Sequence, residues 1–185
     1  APALIVEFRD TAESVTILRR LKEQYPEKLI MIKSALDETS HERVALLAEA
    51  GADILHLTAG RNGEVFSRSD PDTTVGFIKD YIRKAHLHLV DKGIRNSVTL
   101  IAGGGIAMAE HVAKAIICGA DGVTADTALL IALECRVCYR CKQGEPCPVR
   151  LDDFDPFWGR RRITNLMAAW RNQLIEVMGA MGIRE

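Results

Sequence analysis

Apolar residues along this chain gather in short runs, and between the runs they recur at helical spacing. Residues 3–8 (ALIVEF), 29–34 (LIMIKS), 53–58 (DILHLT), 98–102 (VTLIA) and 121–125 (DGVTA) have the length and β-branched content of buried strands. Between 11 and 24, Val15, Leu18 and Leu21 fall three apart, which predicts a helix stopped by Tyr25 and Pro26. A second helix is predicted over about 39–50, opened by Thr39 or Ser40 and closed by Gly51. Further helices are predicted over about 73–91, from Ala107 to about Cys118 before Gly119, and over 127–134. The stretch 59–72 (AGRNGEVFSRSDPD), with Gly60, Gly63 and Pro71, reads as a long loop.

Strands and helices alternating at this pace predict parallel strands joined by crossover helices. Near-continuous apolar strands further predict a sheet buried on both faces. A closed (β/α)8 barrel needs about 250 residues, and this chain has 185 with five predicted strands. The expected fold class is therefore α/β, either an open sheet or the C-terminal portion of a (β/α)8 TIM barrel. The immediate start in a strand favours a piece of a longer chain. Three segments are expected: 1–134 as the partial barrel, 135–150 as a cysteine loop, and 151–185 as linker and helix. In the last of these, LDDFDPFWGRRR reads as irregular, with Pro156 and Gly159 as breakers. A helix then follows from about Ile163 to Met181. Its stripe of Ile163, Leu166, Met167, Trp170, Leu174, Val177, Met178 and Met181 is expected to pack on the main domain. Arg160, Arg161 and Arg162 read first as a solvated run, second as an anion or partner contact.

Composition narrows the classes. Hydrophobic residues make up 48%, which excludes a disordered chain. A net charge of −1 gives no reason to expect nucleic acid or an anionic membrane as partner. No window approaches the ~20 apolar residues of a membrane span. No export signal is legible, so a reducing, cytoplasmic location is expected.

Four of the five cysteines, Cys135, Cys138, Cys141 and Cys147, fall within thirteen residues, and Pro148 follows the last. The spacing is C-x2-C-x2-C-x5-C. Thiolates this close on one loop can converge on a soft metal centre. Zinc sites pair a C-x2-C with a second ligand pair further along. Three cysteines at a three-residue step followed by Cys-Pro fit an iron–sulfur loop better. Iron–sulfur ranks first, structural zinc second and disulfides last. Cys118, inside AKAIICGA, reads as a small core residue.

Gly103, Gly104 and Gly105 follow the fourth strand where it turns into a helix. Backbone N–H groups there can approach an anion, and a helix N-terminus favours one. In barrel enzymes the loops after the last two strands commonly hold phosphate, and here these are the glycine run and 124–127 (TADT). A tight turn without ligand explains the glycines equally well. Lys33 closes the second apolar run, where a bound anion would offset the cost of burying its charge. A surface lysine is the plainer alternative. His56 interrupts the third run, and a core histidine bonded to backbone ranks above a ligand contact. Arg61 and Asn62 lie on the long loop, where substrate contacts are common. No serine or cysteine nucleophile with a paired base is legible.

Taken together, the lysine-ended strand, the glycine-rich strand end, GADGV with TALLIAL, and the Cys-Pro loop resemble the FMN-binding synthase domain of glutamate synthase. The likeness is greatest to its archaeal-type and glutamate-synthase-like relatives. It covers most of the chain and is strongest from about residue 98, where IAGGGIAMAEHVAKAIICGADGVTADTALLIALEC resembles the family's last two strand–helix units. The tail beginning ITNLMAAW is similar to the helix after the family's cluster. This resemblance implies a (β/α)8 barrel that binds FMN beside an iron–sulfur cluster, moving electrons from a donor protein or reductase subunit to an imino or oxo acid. It implies Lys33 near the flavin, and Gly103, Gly104, Gly105, Ala125 and Thr127 around the FMN phosphate. It also implies Cys135, Cys141 and Cys147 as ligands of a 3Fe–4S cluster, with Cys138 making a 4Fe–4S cluster possible. Two departures stand out. The family's substrate loop, of the type DGGTGASP, is replaced by AGRNGEVFSRSDPD, which counts against 2-oxoglutarate as substrate. Asp126 stands where glycine is usual. The first barrel strands are also missing from this sequence, so a homo-oligomer or a separate N-terminal barrel half is the expected complement.

Overall fold

The computed structural model describes residues 4–151 and 153–182. Residue 3 of the first predicted strand, Asp152 of the predicted irregular stretch and the last three residues of the tail lie outside the described residues. Two compact units are present: Ala1–Gly105 with Lys114–Thr124, and Ile106–Ala113 with Ala125–Glu185.

The first unit is a five-stranded parallel sheet. Its strands are β1 (Ile5–Arg9), β2 (Leu29–Ala35), β3 (Ile54–Thr58), β6 (Thr99–Gly103) and β7 (Gly122–Thr124). Their spatial order, β1-β2-β3-β6-β7, is the order of the chain. A sheet that never reverses is wound one way, as in a TIM barrel and unlike the doubly wound folds with a switch point. The fold is thus a TIM-barrel-like partial barrel. Helices α1 (Ser14–Gln24), α2 (Ser40–Glu49) and α3 (Ile78–Asp91) make the crossovers, and right-handed crossovers put them all on one side.

That side holds the core. Ile30, Ile32, Leu55, Leu57 and Leu100 are fully buried from the strands, with Leu18, Leu47, Ile82 and Leu89 from the helices. Each such side chain contributes about 1.5–3 kcal/mol by leaving water. The other side of the sheet differs from the sequence expectation. Along β2 the buried positions are Ile30, Ile32 and Ser34, while Leu29, Met31, Lys33 and Ala35 are not buried. Glu7, Arg9, Lys33 and Thr124 project from this second face among apolar residues such as Met31 and Ile101, so the second face is mixed in character. Apolar runs in the sequence overstated burial because polar residues are interspersed at alternate positions of the strands: Glu7 and Arg9 in β1, Lys33 in β2, His56 and Thr58 in β3, Thr99 in β6 and Thr124 in β7.

A Gly-Ala-Asp triplet ends two of the helix–strand connections and shows how the sheet is clamped. Gly51 and Gly119 adopt left-handed φ of 101° and 107°, which ends the helix. Ala52 and Ala120 are buried. Asp53 accepts the Ile30 N–H at 2.6 Å and pairs with Lys22, whereas Asp121 accepts the Leu100 N–H at 2.7 Å and pairs with Arg95. In each case the carboxylate satisfies an amide of the preceding strand that the ladder leaves open.

The predicted loop 59–72 contains structure. Strand β4 (Glu64–Phe66) pairs antiparallel with β5 (Thr74–Phe77), the register shifting between Val65 and Phe66. The helix predicted from 73 accordingly begins only at Ile78. Strands of three and four residues carry too little periodicity to show in sequence.

In the second unit, α5 (Thr127–Ala132) precedes the cysteine loop and α6 (Pro156–Ala180) follows it. Helix α4 (Ala109–Ile117) has residues in both units. Both residues read as breakers belong to α6. Pro156 opens the helix, where its missing N–H is not needed, and the Asp155 carboxylate caps the N–H groups of Phe157 and Trp158. Gly159 is buried inside the helix because the Phe154 ring occupies the space a side chain would fill. Of the predicted stripe only Trp170 is buried, and Met167, Met178 and Met181 are exposed. Arg162 is not simply solvated: it donates to the Ala132 carbonyl at 2.8 Å, meets Glu134 at 3.4 Å and stacks over Trp158.

Candidate functional site

The second face of the sheet gathers the first unit's unusual residues. One lateral row runs Arg9, Lys33, His56, Ile101, Gly122 across the five strands. Adjacent strands lie about 4.8 Å apart, so Lys33 and His56 occupy adjacent places on this face. Neither Arg9 nor Lys33 is in an ion pair among the described residues. His56 is buried, and its Nε2 lies 3.1 Å from Thr124 Oγ1. The histidine therefore bonds a side-chain hydroxyl two strands away, not the backbone as expected. Burial pushes its pKa below the ordinary histidine value of 6.5, the Lys33 cation adds to that and Glu7 opposes it. At neutral pH His56 is an uncharged imidazole beside a cation. The sequence singled out Lys33 and His56. It missed Glu7 and Thr124, whose only signal was alternation with apolar neighbours.

Gly103, Gly104 and Gly105 continue from β6. A side chain at Gly103 would strike His56 Nε2 and Thr124 Oγ1. At Gly104, with φ of 94°, it would strike the carbonyl oxygens of Ala59 and Gly60. At Gly105, with φ of 71°, it would meet the backbone of Asn62 and Gly63. The run is glycine because the backbone leading into β4 packs against it and because two of its members are left-handed. Ala125 and Thr127 belong to the second unit. There Asp126 caps α5, its Oδ1 accepting the Thr127 N–H at 2.5 Å. The departure from glycine at 126 thus has a local role, and it uses an amide that could otherwise face an anion.

Two adjoining clefts open past the carboxyl ends of β1, β2 and β3, where α/β folds place ligands. One, of about 320 Å³, is lined by Asp10, Ser34, Asp37, Ser40, Arg43 and Arg68 among others. Its wall is fixed: Arg43 binds Asp10 through both Nε and a terminal nitrogen, and Ser34 Oγ donates to Asp10 at 3.0 Å. The other, of about 430 Å³, is lined largely by apolar atoms from Leu36, Ala59 and Phe66, with Thr58 and Arg68. Arg68 lines both clefts and escaped the sequence reading because it lies on the hairpin taken for a loop. Asn62 instead holds Glu64.

The cysteine loop has little regular structure beyond a 3-10 turn at Arg140–Gln143. Its path is set by left-handed residues: Glu134 (φ 65°), Val137 (51°), Tyr139 (62°), Gly144 (77°) and Arg150 (50°). A β-branched residue such as Val137 rarely adopts this conformation. It directs the Val137 N–H to Cys135 Sγ at 3.3 Å. Cys138 and Cys141 are exposed, and Cys135 and Cys147 partly so. Among the described residues no three His, Cys, Asp or Glu side chains are gathered closely enough to hold a metal ion. No described helix is long and apolar enough to cross a membrane.

Comparison with known proteins agrees with this picture. A family model described as "Conserved region in glutamate synthase" matches residues 1–184. An archaeal glutamate synthase [NADPH] of Methanocaldococcus jannaschii is 33% identical over 188 residues, covering 97% of this chain and 36% of that protein. An archaeal-type glutamate synthase [NADPH] of Thermotoga maritima is 32% identical over 166 residues, covering 85% of this chain and 32% of that protein. The chain spans about a third of the length of these relatives. Among solved structures, a mutant flavocytochrome b2 with pyruvate bound superimposes with a TM-score of 0.62 at 16% identity, covering 91% of this chain and 34% of that one. That likeness is one of fold.

Proposed function

This chain belongs to the glutamate synthase family, and from that premise we propose that it is the flavin- and iron–sulfur-carrying portion of an oxidoreductase. The observation that carries the reading is the second face of the sheet. On it Lys33 has no carboxylate partner among the described residues and stands beside a buried, neutral His56. Such a face offers a cation and hydrogen-bonding groups to the electron-rich edge of a flavin ring, and the residues fit that part of FMN. Lys33, Gly103, Gly104, Gly105, Ala125 and Thr127 would hold the FMN. With its amide held by Asp126, Thr127 would contribute through its hydroxyl. Cys135, Cys138, Cys141 and Cys147 fit an iron–sulfur cluster by donor chemistry: four thiols on one loop, with an amide directed at Cys135 Sγ. The cluster is 3Fe–4S with three of these ligands or 4Fe–4S with all four. Binding would order the loop around the metal.

Bound there, flavin and cluster would supply the electron transfer that side chains cannot. The chain's own residues do the rest. Lys33 supplies a fixed positive charge, and Thr124 holds the His56 imidazole in one orientation. Arg68 in the cleft past β2 and β3 would meet a carboxylate of an imino or oxo acid. The partners in this reading are that small molecule and an electron-donor protein or reductase subunit. The remaining barrel strands would come from chain beyond this sequence or from a second copy.

A second reading, an electron-transfer module without catalysis, is favoured by hairpin β4–β5, which replaces the family's substrate loop. The test is the visible spectrum with iron, sulfide, zinc and flavin content of anaerobically purified protein. Flavin bands over a broad iron–sulfur shoulder are expected, and Cys147→Ala should remove the shoulder but leave the flavin. The shoulder alone supports the second reading. Colourless protein carrying zinc overturns both in favour of a structural zinc loop.

A further inference from the structure

The arginine triplet near the start of α6 has no part in the proposed function, yet one of its members reaches the stem of the cysteine loop. Helix α5 ends in a Schellman motif: the Glu134 N–H donates to the Ile131 carbonyl and the Cys135 N–H to the Leu130 carbonyl, each at 2.9 Å. Residue 134 of that motif is left-handed, a conformation that glycine takes without a steric cost. Here the position is Glu134, with φ of 65°. A glutamate gains nothing there from its backbone, so its side chain has to account for it. Its Oε1 lies 3.4 Å from a terminal nitrogen of Arg162. Arg162 Nε also donates to the Ala132 carbonyl at 2.8 Å, a last-turn acceptor that the motif leaves open. The same guanidinium lies over the Trp158 ring, one turn earlier on α6. Arg160 stacks over Phe157 instead, and Arg161 is exposed. Arg162 therefore fastens the end of α5 to the first turns of α6, which are the two ends of the cysteine segment.

The fastening is felt at one thiol. Cys135 follows Glu134 directly. Its amide is committed to the helix end, and its Sγ receives the Val137 N–H at 3.3 Å. Protein groups alone thus hold Cys135 at both backbone and sulfur. We propose that Arg162 is the positioning residue of the cysteine loop. It keeps Glu134 left-handed and closes the last turn of α5, and so fixes Cys135 as the anchoring ligand onto which Cys138, Cys141 and Cys147 assemble a cluster. This inference rests on the reading of the four cysteines as cluster ligands. Without Arg162, residue 134 relaxes toward the conformations that a side chain prefers. Cys135 then loses its fixed place, and metal binding must supply the ordering that Arg162 supplied.

The experiment reconstitutes the full chain anaerobically with iron and sulfide and follows the cluster absorbance while a ferrous-iron chelator withdraws the metal. Arg162→Met should lose its cluster about tenfold faster than the unaltered protein, as expected for a group that supports a metal ligand. Arg161→Met makes the same charge change one residue away and should keep the unaltered rate, which separates position from charge. Glycine holds the left-handed conformation without help, so Glu134→Gly in the Arg162→Met background should restore most of the retention. With Arg162 in place, Glu134→Ala should lose the cluster faster than Glu134→Gly, and this pair carries the test if Arg162→Met does not fold. In metal-free protein the Cys135 N–H should exchange with solvent faster in Arg162→Met and slow again when Glu134→Gly is added. Equal retention in Arg162→Met and the unaltered protein, or a defect that Glu134→Gly does not relieve, overturns the proposal and leaves the cluster reading standing. Unaltered protein that assembles no cluster on its thiols overturns the cluster reading and this proposal with it.

Discussion

Asp10 is where a single side chain holds two elements of the sheet edge together. It follows β1, and Arg43 of α2 reaches it with two nitrogens while also binding the Thr11 carbonyl at 2.6 Å. Burial pushes the Asp10 carboxyl up, but Arg43, Ser14 and Ser34 outweigh it and hold the group below its ordinary 3.8. A carboxyl depressed in the folded state stabilises above its unfolded pKa, and that contribution is lost as pH falls through the folded value. Asp10→Asn should therefore cost about 1–2 kcal/mol at pH 7. Its urea midpoint should also change less than that of the unaltered protein between pH 5 and pH 3. Equal acid sensitivity in the two proteins would remove Asp10 from this role. None of this was legible in sequence, because Asp10 and Arg43 are 33 positions apart and nothing local marks the pair. Lys33 and the cysteines were legible for the opposite reason: a charge at the end of an apolar run and a dense thiol spacing are both local signals. His56 was half legible. Its place in an apolar run was visible, but its Thr124 partner was not.

At the scale of elements, the strands of the parallel sheet were readable within a residue or two, since each is a run of apolar residues bounded by turn residues. The start of α6 was misread because Pro156 and Gly159 were judged by their average behaviour. Proline is favourable in a first helical turn, and this glycine answers to a neighbour that sequence does not reveal. Alanine at 159 would ordinarily strengthen the helix by about 1 kcal/mol, but here it would collide with the Phe154 ring. Gly159→Ala should therefore lower stability. In a Phe154→Ala background the same change should raise it by up to about 1 kcal/mol, a reversal of sign that a double-mutant cycle of thermal unfolding would read directly. If alanine is stabilising in both backgrounds, the packing of Phe154 on α6 is not what keeps residue 159 small.

Across the whole molecule, organisation is uneven. The first unit has a closed set of buried side chains and a sheet whose order follows the chain. The cysteine loop has neither, and it holds an uncommon conformation at Val137. A segment of this kind is stabilised by what it binds: a ligand that engages only the ordered loop shifts the equilibrium toward it, and metal affinity then becomes folding energy. Arg136, Arg140, Lys142 and Arg150 are exposed along the loop and offer trypsin its preferred residues. Cluster-free protein should accordingly be cut first between 135 and 151. Anaerobic reconstitution with iron and sulfide should slow that cut at least tenfold, while cuts in the first unit keep their rate. Protection must vanish in Cys147→Ala if the thiols are the ligands. Should the reconstituted loop be cut as fast as the cluster-free one, the four cysteines do not organise it, and the electron-relay reading of this half of the chain fails with them.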